Sequence, residues 1–196
     1  VGTGVLASNA LNVLQKFADL TKIPVATSPK AKGVFPENHP LSLGVLGLSG
    51  HAQAESYFNS SSLDGLMVIG SSLGETVTYN WKKNFSAPII HVDIDPLEIG
   101  KNFPVTIGIV GDARIVLEEA LNIFEKSYAT IPSRTADPLC SLRNTIPRHI
   151  EFPLINLKSK PIKPQWMIHE LRSIIPADTL LFVDILNNAI ASLPLK

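Results

Sequence analysis

Most of the residues in this 196-residue chain that could carry chemistry stand where short apolar runs end. Asp93 and Asp95 close the run Ile89-Ile90-His91-Val92, and their spacing puts both carboxylates on one face of an extended segment. That pair could begin a cation site, but no histidine or third carboxylate stands at a fitting spacing, so no metal is assigned. A carboxylate at a strand end is also suited to bidentate capture of ribose hydroxyls. Gly70 and Gly111-Asp112 close two further apolar runs. Glu37 and His39 could suggest acid/base work, yet they sit in the segment Pro36-Glu37-Asn38-His39-Pro40, which reads better as a proline-rich polar turn. His91, flanked by Ile90 and Val92, reads as a hydrogen-bonded core histidine rather than a ligand. Cys140 has no activating neighbour in Asp137-Pro138-Leu139 or Ser141-Leu142 and reads as an inert thiol. Tyr79 and Trp81 read as packing residues.

The elements that must position these residues alternate. A helix is expected from Ser8, as N-cap, to Leu20, and a short buried strand over 23–27 with Pro24 where no ladder donor is needed. Residues 28–50, with four glycines from Gly33 to Gly50, read as a long functional or interfacial loop. A helix over 51–60 follows, then strands over 65–70, 87–95 and 105–110, with a helical turn after Pro96. The helix from Ala113 to about Lys126 carries Ile115, Val116, Leu117, Ala120, Leu121, Ile123 and Phe124 on one broad face. Continuous apolar strands alternating with amphipathic helices imply an α/β fold: a doubly wound, mostly parallel sheet with helices on both faces. Ligand sites in such sheets lie at the carboxyl ends of the strands, where Gly70, Asp93, Asp95, Gly111 and Asp112 fall.

Residues 127–160, with four prolines and no sustained period, read as an irregular connection. A second pattern begins at Pro164-Gln165, a helix with Met167, Ile168, Leu171 and Ile174 on one buried face, followed by a strand over 179–184 ending in Asp184. The domain reading is therefore 1–126 as a central α/β domain, 127–160 as linker, and 161–196 as the start of another domain. The opening Val1-Gly2-Thr3 has no initiator Met, basic region or cleavage site, and both ends read as cut from a longer protein.

Hydrophobic residues make up 45% and charged residues 17%, which is enough to fill a core and too apolar for a disordered chain. Seventeen basic residues balance seventeen acidic ones without a dense cationic run, so neither nucleic acid nor a membrane surface is expected as partner. No stretch reaches the roughly 18 apolar residues that span a bilayer. The single cysteine cannot form an internal disulfide, and a cytoplasmic setting is expected.

Five segments in register resemble the thiamine-diphosphate-dependent family that includes acetolactate synthase and the 2-oxoacid decarboxylases. They are residues 23–27, residues 32–44, Gly47-Leu48-Ser49-Gly50, residues 90–102 (from Ile90-His91-Val92 to Gly100-Lys101-Asn102), and Gly111-Asp112-Ala113. The resemblance covers roughly residues 1–125 as the central domain, and 164–184 looks like the entry to the C-terminal diphosphate-binding domain. It implies a three-domain parent acting on a 2-oxoacid, with thiamine diphosphate and Mg2+ held by the flanking domains, and a homodimer or homotetramer of that parent. The Gly-Asp-Gly…Asn-Asn motif of the family is absent. Asn187-Asn188 has no such glycines upstream, and Leu186 stands where the family usually has glycine. No catalytic residue is placed in this chain.

In the flavin-containing members the central domain holds FAD across the strand ends. Carried onto this sequence, Gly2 and Gly4 would let backbone approach a phosphate or ribose. Ser28, Val45, Leu46 and Gly47 would line the flavin chain, with Gly70 at the next strand end. Asp93, Ile94, Gly111, Asp112 and Ala113 would cradle the adenine end. Two arginines that contact FAD in acetolactate synthases fall at Ser72 and Thr76 here, so a purely architectural site is the other expectation. The rival readings are a stand-alone NAD- or FAD-binding module and a structural or oligomer-forming domain. The zinc cysteines and catalytic histidine loop of the similarly folded sirtuins are missing.

Overall fold

The computed structural model describes residues 1–48, 50–60, 63–127, 139–147, 162, 164–176 and 179. The elements in chain order are helix α1 (Thr3–Ala7), helix α2 (Leu11–Thr21), strand β1 (Val25–Thr27), a 3-10 turn (Pro29–Ala31), strand β2 (Ser42–Val45), helix α3 (Ala52–Phe58), strand β3 (Leu66–Ile69) and helix α4 (Glu75–Thr78). Strands β4 (Ile89–Asp93) and β5 (Ile107–Val110) follow, then helices α5 (Ala113–Ser127), α6 (Cys140–Thr145) and α7 (Pro164–Ile174).

All strand pairings among the described residues are parallel. Strand β1 pairs β2, with Val25 opposite Ser42 and Thr27 opposite Val45, and β4 lies between β3 and β5. Residues Val1 and Gly2 join the two groups. The Val1 amino group donates to the Ala26 carbonyl (2.7 Å), Ser28 N–H donates to the Val1 carbonyl (2.9 Å), and Gly2 N–H donates to the Ile69 carbonyl (2.9 Å). The strand order is therefore β2-β1-(Val1-Gly2)-β3-β4-β5, a doubly wound arrangement with the first segment at its centre.

Side chains alternate across the sheet as the strand period requires. Val25, Met67, Ile69 and Val92 face one cluster, which α1, α2 and α5 close through Val5, Leu14, Phe17 and Leu117. Ala26, Leu66, Val68 and Ile89 face the other, where Leu43, Ala54, Leu73 and Val77 meet them. Phe17 and Phe124 meet edge to face with centroids 5.9 Å apart, fixing α2 on α5. The expected α/β sheet, covered on both faces, is what forms.

Several local expectations change. Ser8 does not cap α2. It ends α1, with its N–H on the Gly4 carbonyl, and Asn9 takes a left-handed φ of 55° before α2 begins two residues later. The long loop over 28–50 contains β2. Its Gly44 adopts φ +79° because the buried His51 ring fills the space where a Cβ would lie, and His51 Nδ1 accepts the Val45 N–H at 2.8 Å. The α5 face is narrower than read: Val116, Leu117, Ala120, Leu121 and Phe124 turn inward, whereas Ile115 and Ile123 are exposed. Within 127–160, α6 docks on the core through Leu139, and Gln53 Nε2 donates to the Ile146 carbonyl. The apolar face expected to be buried on α7 is open at Met167 and Ile174, 52% and 76% exposed. Apart from Thr179, the strand expected over 179–184 lies outside the described residues.

Candidate functional site

The chain leaves the central Val1-Gly2 segment toward β1 and leaves β3 toward β4, so the connections part on opposite sides of one gap. That divergence is the topological switch point at which open α/β sheets bind ligands. A cleft of about 460 Å³ lies there. Its floor is the strand ends and its rims are the loop 70–77 and the start of the 3-10 turn.

The glycines of the floor serve the chain first. A Cβ on Gly4 would lie 2.6 Å from Gly70 Cα, and one on Gly70 would lie 2.6 Å from Gly4 Cα, so the two backbones touch where side chains would otherwise stand. Gly70 also takes a left-handed φ of 58°, which suits glycine. Gly4 N–H donates to the Gly70 carbonyl at 3.0 Å. A Cβ on Gly2 would meet the Gly70 carbonyl oxygen at 2.2 Å. Close packing of two strand ends therefore demands these glycines whether or not a ligand approaches.

Loop 70–77 is held from the β4 side. His91, 2% exposed, spans two backbones: Gly100 N–H donates to Nδ1 (3.4 Å) and Nε2 donates to the Ser71 carbonyl (2.9 Å). Asn102 Nδ2 donates to the Ser72 carbonyl at 2.7 Å. His91 is thus the satisfied core histidine expected. Asp93 faces the cleft, and its Oδ1 accepts the Asp95 N–H (3.0 Å); Asp95 Oδ1 in turn accepts from Leu97 (2.9 Å), so both carboxylates shape the turn after β4. Lys101 Nζ lies 2.5 Å from Glu98 Oε1, and that hydrogen bond and charge raise the ammonium's pKa.

Of the twelve residues expected to bind a cofactor, the cleft brings together five: Gly2, Gly4, Ser28, Gly70 and Asp93. The other seven do not line it. Val45 and Leu46 are 0% and 4% exposed and pack into the interior. Gly47 lies behind α4, where a Cβ would strike the Thr76 carbonyl. Ile94 points outward, 70% exposed, and Ala113 belongs to the core. Gly111 N–H donates to the Asp93 carbonyl, continuing the ladder. Asp112 caps α5, its Oδ1 accepting from Arg114 (2.9 Å) and Ile115 (3.3 Å). The cleft also recruits residues that sequence reasoning missed as ligands, among them Thr3, Lys30, Ser71, Glu75 and Glu98. The hydroxyl-rich run after Gly70 was the available signal for the serines; nothing in the sequence marked Lys30 or Glu98.

Two networks outside the cleft are structural. Glu37, expected in a polar turn, is buried with its carboxylate 4.0 Å from both Lys32 Nζ and His51 Nε2. His39 Nε2 meets Asp19 at 3.2 Å. Behind α4, Tyr79 donates to the Gly47 carbonyl (2.9 Å), Glu55 Oε1 accepts the Gly47 N–H (3.0 Å) and Glu55 Oε2 pairs with Lys83 (2.6 Å). Burial, then the Glu55 carboxylate, push the Tyr79 phenol up to about 12.

Among the described residues, no three His, Cys, Asp or Glu side chains converge as a metal site would require, and no helix is long and apolar enough to cross a membrane. A sequence profile of the thiamine pyrophosphate enzyme central domain matches residues 1–120. The chain is 37% identical to the probable acetolactate synthase large subunit of Methanocaldococcus jannaschii over 178 residues, 89% of this chain and 28% of that protein. It is 38% identical to the acetolactate synthase large subunit of Corynebacterium glutamicum over 184 residues, 92% of this chain and 28% of the relative. The Porphyra purpurea large subunit is 35% identical over 168 residues, 84% and 28% of the two chains. The chain thus spans under a third of the length of these curated relatives.

Proposed function

From the premise that the chain belongs to the thiamine pyrophosphate enzyme family and carries its central domain, we propose that it is the non-catalytic middle layer of a 2-oxoacid-converting enzyme of the acetolactate synthase type. The carrying observation is the likeness to acetolactate synthase large subunits, which reaches over 89% of the chain and so continues past the 120 residues of the central-domain profile. In that reading residues 1–126 are the central domain, 127–160 the connection and 161–196 the entry to the diphosphate-binding domain. The parent takes a 2-oxoacid, forms a homodimer or homotetramer, and works in the cytoplasm, a setting in keeping with a single, exposed cysteine.

Thiamine diphosphate with Mg2+ supplies the electron sink for such chemistry. Among the described residues no three His, Cys, Asp or Glu side chains converge on one point, and in this reading the flanking domains hold that group. What the chain contributes is a rigid sheet that sets the distance between its neighbours and apolar surface for docking them. Ile94 and Leu97, 70% and 79% exposed just beyond β4, and Val110 opposite Asp93 offer that surface at the carboxyl edge. The test is an assay of the purified chain with pyruvate, thiamine diphosphate and Mg2+. No carbon dioxide and no acetolactate are expected; turnover would sink the proposal. Reading the encoding frame on either side supplies the second check, with the Gly-Asp-Gly…Asn-Asn motif expected downstream.

A further inference from the structure

FAD, the cofactor the resemblance brings to a central domain of this kind, does not fit the cleft, and we infer that this domain excludes anionic dinucleotides. Four charged side chains line the cleft: Lys30 against Glu75, Asp93 and Glu98. Lys101 offsets Glu98 from outside the lining, which still leaves an excess of negative charge. A dinucleotide diphosphate carries two negative charges of its own and needs cationic donors or free amides. Two amides of the floor are already committed, Gly2 N–H to the Ile69 carbonyl and Gly4 N–H to the Gly70 carbonyl. The five-residue α1 is too short to act as an anion site. On the opposite rim, the loop into α4 offers Ser72, Gly74 and Thr76, which are neutral. Lys30 is thus the one cation of the lining that a diphosphate could meet, set against three carboxylates.

This inference concerns the chain itself and stands or falls apart from the parent's reaction, because it is read by flavin retention and not by turnover. The purified 196-residue chain is mixed with FAD, passed through gel filtration and examined for flavin absorbance, with FAD fluorescence titrated in parallel. No retained flavin and no saturable quenching are expected. The Ser72→Arg/Thr76→Arg variant, which adds two cations to the rim, is expected to gain FAD affinity by about ten-fold or more per arginine, with the gain falling as salt rises. Circular dichroism confirms that the variant is folded, and the single Ser72→Arg and Thr76→Arg variants repeat the titration if the pair is not. Stoichiometric flavin on the unaltered chain would overturn the inference. So would a folded arginine variant that binds no better than the original, because charge would then not be the reason.

Discussion

At the scale of single residues, the Gly4–Gly70 contact sets the tolerance of the cleft floor. Gly4→Ala forces a methyl group to 2.6 Å from backbone that cannot swing aside. It is expected to cost about 2 kcal/mol or more, read as a lowered urea midpoint. Gly65→Ala, where nothing lies within 4 Å of the added carbon, is expected to stay within about 0.5 kcal/mol. The sequence reading marked Gly2, Gly4 and Gly70 for the approach of a ligand; that their backbones also meet one another it did not show. Contact between distant strand ends is invisible until the strands are ordered side by side.

At the scale of elements, two helix ends carry predictions. Asp112→Ala removes the acceptor of two α5 amides and is expected to cost about 1 kcal/mol in thermal or urea unfolding. Lys22 closes α2 in a left-handed conformation with φ +57°. Lys22→Gly is expected to stabilise the chain by up to about 1 kcal/mol in the same assay. Strands β3, β4 and β5 and helices α2 and α5 were legible because long apolar runs and helical spacing fix their type. Strand β2 was not, since Ser42-Leu43-Gly44-Val45 has a glycine at its centre and gains its strand character from β1 and from the His51 ring beneath it. Helix α1 is too short for a period to show. The cleft was legible only as a line of strand ends. That Asp112 would cap a helix and that Val45 and Leu46 would turn inward depend on how each end bends.

At the scale of the whole molecule, the sheet is two parallel blocks, β1-β2 and β3-β4-β5, and the residues that hold them together beneath the cleft are Val1 and Gly2. The α2–α5 contact and the two apolar clusters carry the rest of that union. Within the larger block β4 has a strand on each side, whereas β5 pairs with β4 alone among the described residues. Deuterium should therefore enter the β5 amides ahead of those of β4, and whatever docks against the exposed Ile107 and Val110 would slow that entry first at the β5 edge.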